Sequence, residues 1–227
     1  MTTEPVAGDD YMAYEAPALR ETPEEIEYEM RSAEGAMWTG GRLVIGIEAF
    51  FFASLAFAYF YLRSTNSGDL WRPHDITAPT AIGAAIAALV VASALLNGYG
   101  TMRLRRGDTL DWEVAGWTTV VGGLIALGLQ VWELTKLSFF PGSSGYASCF
   151  IGWAVMNIAL LLGGLYWLET LLARWLRLRR AIVDDGGPAH STMPVARLFR
   201  ANLEGCWTFW AFMAVVNLLF WLLFYVI

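Results

Sequence analysis

The chain has 227 residues, of which 56% are hydrophobic and 16% charged, and it contains eleven tryptophans. This composition is typical of an integral membrane protein and excludes an ordinary soluble domain. The formal net charge is -6, but ten of the 21 acidic residues precede Gly35, so the rest of the chain is close to neutral. Neither part is basic, so no nucleic-acid partner is indicated.

The first part of the chain, residues 1–40, is predicted to be an acidic N-terminal tail. It is polar and contains proline, and its beginning has the composition of a disordered segment. The sequence Thr22-Pro-Glu-Glu25 has the form of a capping box with proline at the first helical position. A short surface helix is therefore predicted from Pro23 towards Glu34.

Residues 41–227 are predicted to form a transmembrane domain. Five apolar runs are each long enough to cross the ~30 Å hydrocarbon core of a bilayer as a helix. They cover residues 43–62, 79–100, 114–134, 146–172 and 206–227. The predicted fold is therefore all-α, an integral membrane bundle of five transmembrane helices. The sequence DDGGP at 184–188 should end the extension of the fourth helix beyond the membrane.

The arginines predict the orientation of the bundle. They cluster in the loop after the second run and in the loop after the fourth, whereas the opposite loops carry little beyond Arg72 and Lys136. By the positive-inside rule, the N-terminus and its tail are cytoplasmic and the C-terminus lies outside. Four tryptophans near the ends of the runs are predicted to be interfacial anchors: Trp71, Trp112, Trp175 and Trp221.

Histidine is scarce, which limits the chemistry of the spans. The two histidines, His74 and His190, fall in predicted loops on opposite sides of the membrane. Intramembrane haem and metal sites need histidine, cysteine or carboxylate clusters, so no metal ligand and no catalytic residue is predicted. The polar groups within or beside the spans are Glu48, Gln130, Glu133, Asn157, Glu169, Glu204 and Asn217. Carboxylates without a metal suggest proton handling or structural hydrogen bonding, and Glu133, near a span end, is expected to be solvated or to contact headgroups.

Six short motifs follow one another from the first run to the last. They are Glu48-Ala-Phe-Phe-Phe with Ala58-Tyr-Phe-Tyr, Trp71 with Pro73, Gly107-Asp108, Leu129-Gln130-Val-Trp-Glu133, Tyr146-Ala-Ser-Cys-Phe150, and Glu204 six residues before Trp210 in Phe-Trp-Ala-Phe. In order and spacing these motifs resemble those of subunit III of the haem-copper oxidases, in a divergent five-helix form.

Two segments depart from that family. Residues 154–160 read AVMNIAL where the family has Thr-Gly-Phe-His-Gly-x-His, and residues 210–214 read WAFMA where it has Trp-His-Phe-x-Asp. The comparison implies that the family's polar cluster near the fourth and fifth helices is largely lost. Glu48, Gln130, Glu133 and Glu204 are retained.

The resemblance implies a non-redox accessory subunit of a terminal oxidase, in which the catalytic partner reduces oxygen during aerobic respiration. Such a subunit carries no haem or copper of its own, and both are expected in partner subunits. The implied partners are the catalytic subunit I, other oxidase subunits and membrane lipids. The implied roles are to stabilise the complex, to bind phospholipid and to support proton uptake, in a prokaryotic cytoplasmic (inner) membrane.

Two groups of residues are candidates for these roles. The carboxylates of Glu48, Glu133 and Glu204 are candidate proton-related or interface groups, and for Glu48 a structural role is favoured because no relay is visible beside it. Five arginines flank the predicted cytoplasmic ends and are candidates for holding lipid headgroups: Arg103, Arg105, Arg106, Arg174 and Arg177.

Other functions remain open at this point. A related accessory subunit of a quinol oxidase or a nitric oxide reductase would share the fold, because such a subunit touches neither the electron donor nor the acceptor. A stand-alone proton-coupled transporter could use Glu48 and Glu133, but no inverted repeat or broken helix pair is apparent. A purely structural membrane scaffold differs from the oxidase subunit only in what it binds.

Overall fold

The computed structural model describes residues 22–66, 71–73 and 76–227, and these form helices and connecting turns without a β-strand. Five helices are long and apolar enough to cross a membrane, which confirms the predicted all-α bundle of five spans. The acidic segment before Thr22 lies outside the described residues, and the side of the membrane on which each end lies stays a prediction. The helices are α1 Pro23–Ser64, α2 Thr80–Arg105, α3 Thr109–Thr135, α4 Gly145–Asp184, a single-turn α5 Gly187–His190, and α6 Pro194–Trp221, which continues as a π-helical segment, Leu222–Val226.

Helix α1 begins at Pro23 with a reciprocal cap. The Glu25 N–H donates to Thr22 Oγ1 at 3.3 Å, and Glu25 Oε2 accepts from the Thr22 N–H at 2.7 Å. The helix then continues through residue 34 without a break, so the surface helix expected there is the first part of α1 and not a separate element. Its 42 residues span about 63 Å, roughly twice the hydrocarbon core. The predicted boundary at residue 40, between the N-terminal tail and the transmembrane domain, therefore lies inside one helix.

Contacts with α6 explain why α1 continues despite its glycines. Gly41 lies so close to α6 that an added Cβ would be 3.5 Å from the Gly205 Cα. Further towards the N-terminus, Arg197 of α6 bonds both carboxylate oxygens of Glu34, at 2.7 and 2.9 Å, and one oxygen of Glu27 at 2.7 Å. Each glycine costs only about 1 kcal/mol in a helix interior, and these contacts with α6 stabilise the helical form of this part of α1.

Helices α2 and α3 form an antiparallel hairpin that depends on small residues. The connecting turn uses Gly107 at φ +93°, and the Asp108 N–H donates to Arg103 O at 3.0 Å. Along the pair, Thr119 Oγ1 donates to the Ser93 carbonyl of α2 at 3.2 Å, and a Cβ on Gly100 would lie 2.8 Å from the Ala115 Cβ. Small residues of this kind let transmembrane helices approach closely.

Helix α4 is the most buried span. Half of its most apolar 18-residue stretch is buried, against 11% for α1. It ends at Asp184, and the next glycines, Gly186 and Gly187, have φ of +93° and +84°. This left-handed backbone suits glycine and stops the helix where the sequence predicted.

The two ends of the bundle have different cores. The end that carries the start of α1, the last turns of α2 and α4 and the first turns of α3 and α6 is called the arginine-rich end here, because Arg103, Arg105, Arg177, Arg197 and Arg200 lie there. The opposite end, called the aromatic end, packs the rings of Tyr59, Trp71, Tyr146, Phe150, Trp153, Phe220 and Phe224 into one cluster.

The tryptophans expected to anchor the bundle in the interfaces are mostly core residues instead. Trp112 and Trp175 are 1% and 0% exposed and pack edge-to-face against each other, with ring centroids 5.5 Å apart. Trp71 is 8% exposed, and Trp221 alone among the four is half-buried. The prediction was wrong for the three buried residues. For Trp112 and Trp175, position along a helix does not determine the face on which the side chain lies. Trp71, in the connection after α1, packs its ring against those of Tyr59 and Tyr146.

Candidate functional site

A network of polar side chains lies inside the bundle, near the aromatic end. At its centre is Glu133 of α3, which is fully buried. The Tyr225 hydroxyl lies 2.5 Å from Glu133 Oε1, and Gln130 donates its amide N–H to Glu133 Oε2 at 2.7 Å. Both carboxyl oxygens therefore have hydrogen-bond partners, as a buried carboxyl group requires.

Two asparagines extend the network to α4 and α6. Asn157 and Asn217 exchange amide hydrogen bonds at 2.9 and 3.1 Å, and Asn157 also donates to Gln130 Oε1 at 2.9 Å. Asn217 donates in addition to the Met213 carbonyl at 2.9 Å, and both asparagines are at most 1% exposed. One continuous set of hydrogen bonds thus joins α3, α4, α6 and the π-helical segment.

This network corrects one expectation from the sequence. Glu133 was expected to be solvated or to contact headgroups, whereas it is buried among polar partners. The spacing of Gln130 and Glu133 on one helix face was a usable signal for this point. The loss of the family's histidines and aspartate near the fourth and fifth spans stays as predicted from the comparison, and Asn157 and Asn217 are the polar pair between those two spans.

Tyr225 lies in the π-helical segment that follows α6. The backbone of this segment is bonded to α4, because the Tyr146 hydroxyl donates to the Phe224 carbonyl at 2.8 Å. The Tyr225 ring lies against Gly83 of α2, where any Cβ would overlap it. No sequence signal pointed to Tyr225, because a tyrosine near the end of an apolar run is typical of an interfacial residue.

Glu48 lies apart from this network, on α1. Its residue is half-buried, and Oε2 is buried without a hydrogen-bond partner among the described residues. Large apolar side chains on the same helix are exposed, including Ile47 at 67% and Phe50 at 78%. The same span contributes to an apolar groove of about 490 Å³ between α1 and α6, lined by residues such as Phe52, Ala56 and Phe220.

Glu204, the third candidate carboxylate, lies at the arginine-rich end. It pairs with Arg105 of α2 at 2.6 Å, and both side chains are about half exposed. The structure therefore places Glu48, Glu133 and Glu204 in three separate surroundings. Glu133 and Glu204 are bonded within the bundle, whereas Oε2 of Glu48 is buried and has no hydrogen-bond partner among the described residues.

The five candidate lipid arginines fall into two groups. Arg103 is bound by Asp108 at 3.0 Å and by Asp111 at 2.6 Å, Arg105 is bound by Glu204, and Arg106 lies 3.9 Å from the Met102 sulfur. Carboxylates therefore already occupy the first two guanidinium groups.

Arg174 and Arg177 form the second group. Both line a crevice of about 290 Å³ between α4 and α6, whose walls are apolar side chains that include Leu178, Leu198 and Phe199. Within the described residues neither arginine is in an ion pair. These two arginines therefore match the expected headgroup site better than the other three.

The described residues contain no group of three or more His, Cys, Asp or Glu side chains that could hold a metal ion. His190 is exposed on α5, and His74 lies outside the described residues. The two cysteines are buried, Cys149 at 4% exposure and Cys206 at 0%, as packing residues are. Whether the chain carries haem or copper stays a prediction for metal analysis.

No family model matches the chain. The chain is similar to cytochrome c oxidase subunit 3 of Thermostichus vulcanus, with 24% identity over 103 residues. The match covers 45% of this chain and 50% of that protein, so the chain covers about half the length of the relative. The name of this relative agrees with the family that the motifs resemble.

Proposed function

We propose that this chain is a non-redox accessory subunit of a haem-copper terminal oxidase, of the subunit III kind, in a prokaryotic cytoplasmic membrane. Its partners are the catalytic subunit I, which holds haem and copper and reduces oxygen, and the other subunits of the complex. The distant similarity to cytochrome c oxidase subunit 3 and the five membrane-crossing helices support this assignment. The chain itself supplies contacts and no redox centre.

The observation that carries the proposal is that Glu48 lies half-buried in an apolar span with a carboxylate oxygen that has no hydrogen-bond partner among the described residues. A carboxylate in an apolar span is costly unless it faces protein, water or a partner. Glu48 lies on the least buried span, and its Oε2 has no partner among the described residues. This chain itself covers Oε2, so a second membrane protein packed on α1 would have to meet the exposed remainder of this half-buried side chain, and could offer the carboxyl group a hydrogen-bond donor once it turns outward. The exposed side chains of Ile47, Phe50 and Phe57 would pack against the same partner.

Two further roles belong to this proposal. Arg174 and Arg177 hold the phosphate of a phospholipid whose acyl chains follow the apolar walls of their crevice. Glu48 supports proton uptake indirectly, by stabilising the interface with the catalytic subunit. A structural role fits better than a relay, because no titratable side chain is hydrogen-bonded to Glu48 within the described residues.

Purification from native membranes tests the assignment. With an affinity tag on this chain, mild detergent extraction should yield a larger membrane subunit together with haem absorbance. Iron and copper should disappear from this chain once its partners are removed. A colourless oligomer of the chain alone would overturn the proposal and would favour a transporter.

Two substitutions at Glu48 test the interface. Glu48→Gln keeps the size and the hydrogen-bonding capacity, so the variant should stay in the complex and turn over as long as the wild type. Glu48→Ala removes both and should lower the amount of this chain retained. Glu29→Ala, an exposed carboxylate on the same helix outside the apolar span, is the matched control. If Glu48→Gln by itself slows proton uptake, the structural role is wrong.

A further inference from the structure

A second group of buried polar side chains lies on one face of α2, closer to the arginine-rich end than the network around Glu133. Ser93, Asn97 and Thr101 follow one another at intervals of four residues, and each is at most 2% exposed. Neither the amide nitrogen nor the amide oxygen of Asn97 has a hydrogen-bond partner among the described residues. The hydroxyl of Thr101 is likewise buried without a described partner. Three polar atoms are therefore unpaired within about one turn of helix.

The hydroxyl of Thr101 differs from other threonine hydroxyls in these helices. Thr118, Thr119 and Thr208 each donate to the backbone carbonyl four residues earlier, at distances of 2.7, 2.8 and 2.7 Å. This local bond satisfies a hydroxyl inside a helix without help from a neighbouring element. Thr101 does not make it, since its Oγ1 has no hydrogen-bond partner among the described residues. Its hydroxyl therefore remains free to bond a ligand beside α2.

Helix α6 packs against α2 at this level. A Cβ added at Gly98 would overlap the Trp207 indole, so the two helices are in close contact there. The thiol of Cys206, the residue before Trp207, lies beside the Asn97 side chain and is fully buried. A thiol is only a weak donor and a weak acceptor, whereas an amide offers two donor hydrogens and an acceptor oxygen. The Asn97 amide therefore needs a further partner that both donates and accepts.

Water is the ligand that meets this need. A buried polar group without a partner costs free energy, because its lost hydration is not replaced. An internal water molecule typically makes about three hydrogen bonds to buried groups that would otherwise be unsatisfied. The amide, the hydroxyl and the thiol provide that number of side chains. They also combine donors with acceptors, as water requires.

A route from solvent leads towards these side chains. A cavity of about 270 Å³ lies between α2, α5 and α6 at the arginine-rich end, and Leu104 and Leu203 form part of its wall. Leu104 follows Thr101 by three residues, and Leu203 precedes Cys206 by three. The wall of the cavity is therefore about one helical turn from the unpaired atoms. The two leucines, each 2% exposed, lie along that turn.

We propose that Asn97, Thr101 and Cys206 form an internal hydration site between α2 and α6. Water enters it from the cavity at the arginine-rich end, past Leu104 and Leu203. The site gives the arginine-rich half of the bundle a hydrated interior, whereas the network near the aromatic end is closed by direct hydrogen bonds between side chains. It does not depend on the oxidase assignment, because every residue in it belongs to this chain.

The two cysteines allow a direct test. The infrared S–H band of a thiol lies apart from the other protein bands, and exchange with D2O converts S–H into S–D. Cys149→Ala leaves the Cys206 thiol to be observed, and Cys206→Ala leaves that of Cys149. Cys149 is the matched control, because it is also buried but packs in the aromatic cluster. Difference spectra between the two variants remove the thiol bands of any subunits that co-purify.

After transfer to D2O, the S–H band of Cys206 should decay about tenfold faster than that of Cys149, because water already lies beside it and no larger opening is needed. Asn97→Leu keeps a branched side chain but removes the amide, so exchange at Cys206 should slow to the rate of Cys149. Thr101→Val removes the hydroxyl and should slow it in part. Ser93→Ala removes a buried hydroxyl one turn deeper and should leave it unchanged.

The outcomes either support the site or contradict it. Fast exchange at Cys206 that is lost in Asn97→Leu and kept in Ser93→Ala supports it. If the Cys206 band decays as slowly as that of Cys149, the contact between α2 and α6 is dry and the proposal is wrong. The proposal is also wrong if Asn97→Leu leaves exchange fast, or if Ser93→Ala slows it equally. Should Asn97→Leu fail to fold, Thr101→Val decides, since unchanged exchange in that variant rules the site out.

Discussion

The two ends of the bundle are stabilised by different interactions. At the arginine-rich end, ion pairs such as Arg105–Glu204 join helices across solvent-exposed surface. At the aromatic end, buried rings pack edge-to-face, and the network around Glu133 is shielded from solvent. Each exposed ion pair contributes little to the free energy of unfolding, because water and salt screen the charges. A buried polar group that loses its partner lowers that free energy more, because no water molecule takes the partner's place.

This difference predicts different consequences of substitution. The ion pairs at the arginine-rich end have partly exposed side chains, so a group that loses its partner can be hydrated instead. The side chains of the network around Glu133 are hydrogen-bonded to one another inside the bundle, which suits a fixed scaffold for the helices. We therefore expect substitutions at the aromatic end to change stability, and those at the arginine-rich end to change local order.

The largest expected effect is that of Phe224→Ala. This ring is fully buried, and its centroid lies 5.4 Å from those of both Tyr59 and Phe150. Removing it leaves a cavity among rigid rings and should lower the free energy of unfolding by about 3–5 kcal/mol. Unfolding in mixed micelles by added denaturing detergent measures it. Phe57→Ala, at a ring that is 70% exposed, is the control and should change much less. Equal losses would mean that the cluster is not a core.

Asn157→Leu comes next. It leaves Gln130 Oε1 and the Asn217 amide without their partner, which should cost about 1–2 kcal/mol in the same unfolding assay. The double variant Asn157→Leu/Asn217→Leu removes both members of the pair. The double variant should lower the free energy of unfolding by clearly less than the sum of Asn157→Leu and Asn217→Leu, because fewer buried groups remain unpaired. Strict additivity would show that the two amides do not interact.

Arg197→Gln should have a local effect at the arginine-rich end. It releases Glu34 and Glu27, so the part of α1 before residue 36 loses its bonds to α6. Amide hydrogen exchange in residues 23–36 should speed up several-fold, while exchange in the α1 span stays as it was. Arg31→Gln, at a side chain that is 73% exposed and bonds Glu27 among the described residues, should change exchange less. Unchanged exchange in Arg197→Gln would show that the extension is ordered without this contact.

The smallest expected effect is that of Glu204→Gln. The side chains of Glu204 and Arg105 are both about half exposed, so loss of the pair should lower the free energy of unfolding by less than about 1 kcal/mol. High salt should abolish this difference between the variant and the wild type. The matched change Glu133→Gln, at a fully buried carboxyl, should lower the free energy of unfolding more. The Tyr225 hydroxyl can accept one N–H of the new amide, but the second N–H finds no acceptor among the present partners of Glu133. If Glu204→Gln proves the more damaging of the two in the unfolding assay, the contrast between the ends is wrong.

Much of the fold could be predicted from the sequence, but less of the candidate site. The apolar runs predicted the five spans, and the DDGGP sequence predicted the end of α4 at Asp184. The polar residues of the network were visible as intramembrane groups, but nothing in the sequence joined Asn157 to Asn217 or Tyr225 to Glu133. Those pairs are 60 and 92 residues apart, so only helix packing brings them together.

The sequence by itself determined the number of membrane-crossing helices, because about twenty consecutive apolar residues can cross the bilayer as one helix whose backbone hydrogen bonds are satisfied internally. It did not determine their full length, since α1 and α4 extend well beyond their apolar runs. It also fixed the number of histidines at two, neither of them within a predicted span. Only the tertiary structure decided which face of each helix is covered. It buried Trp112 and Glu133 and left Glu48 half-buried on the least buried span, because the rotation and register of each helix depend on contacts with the others.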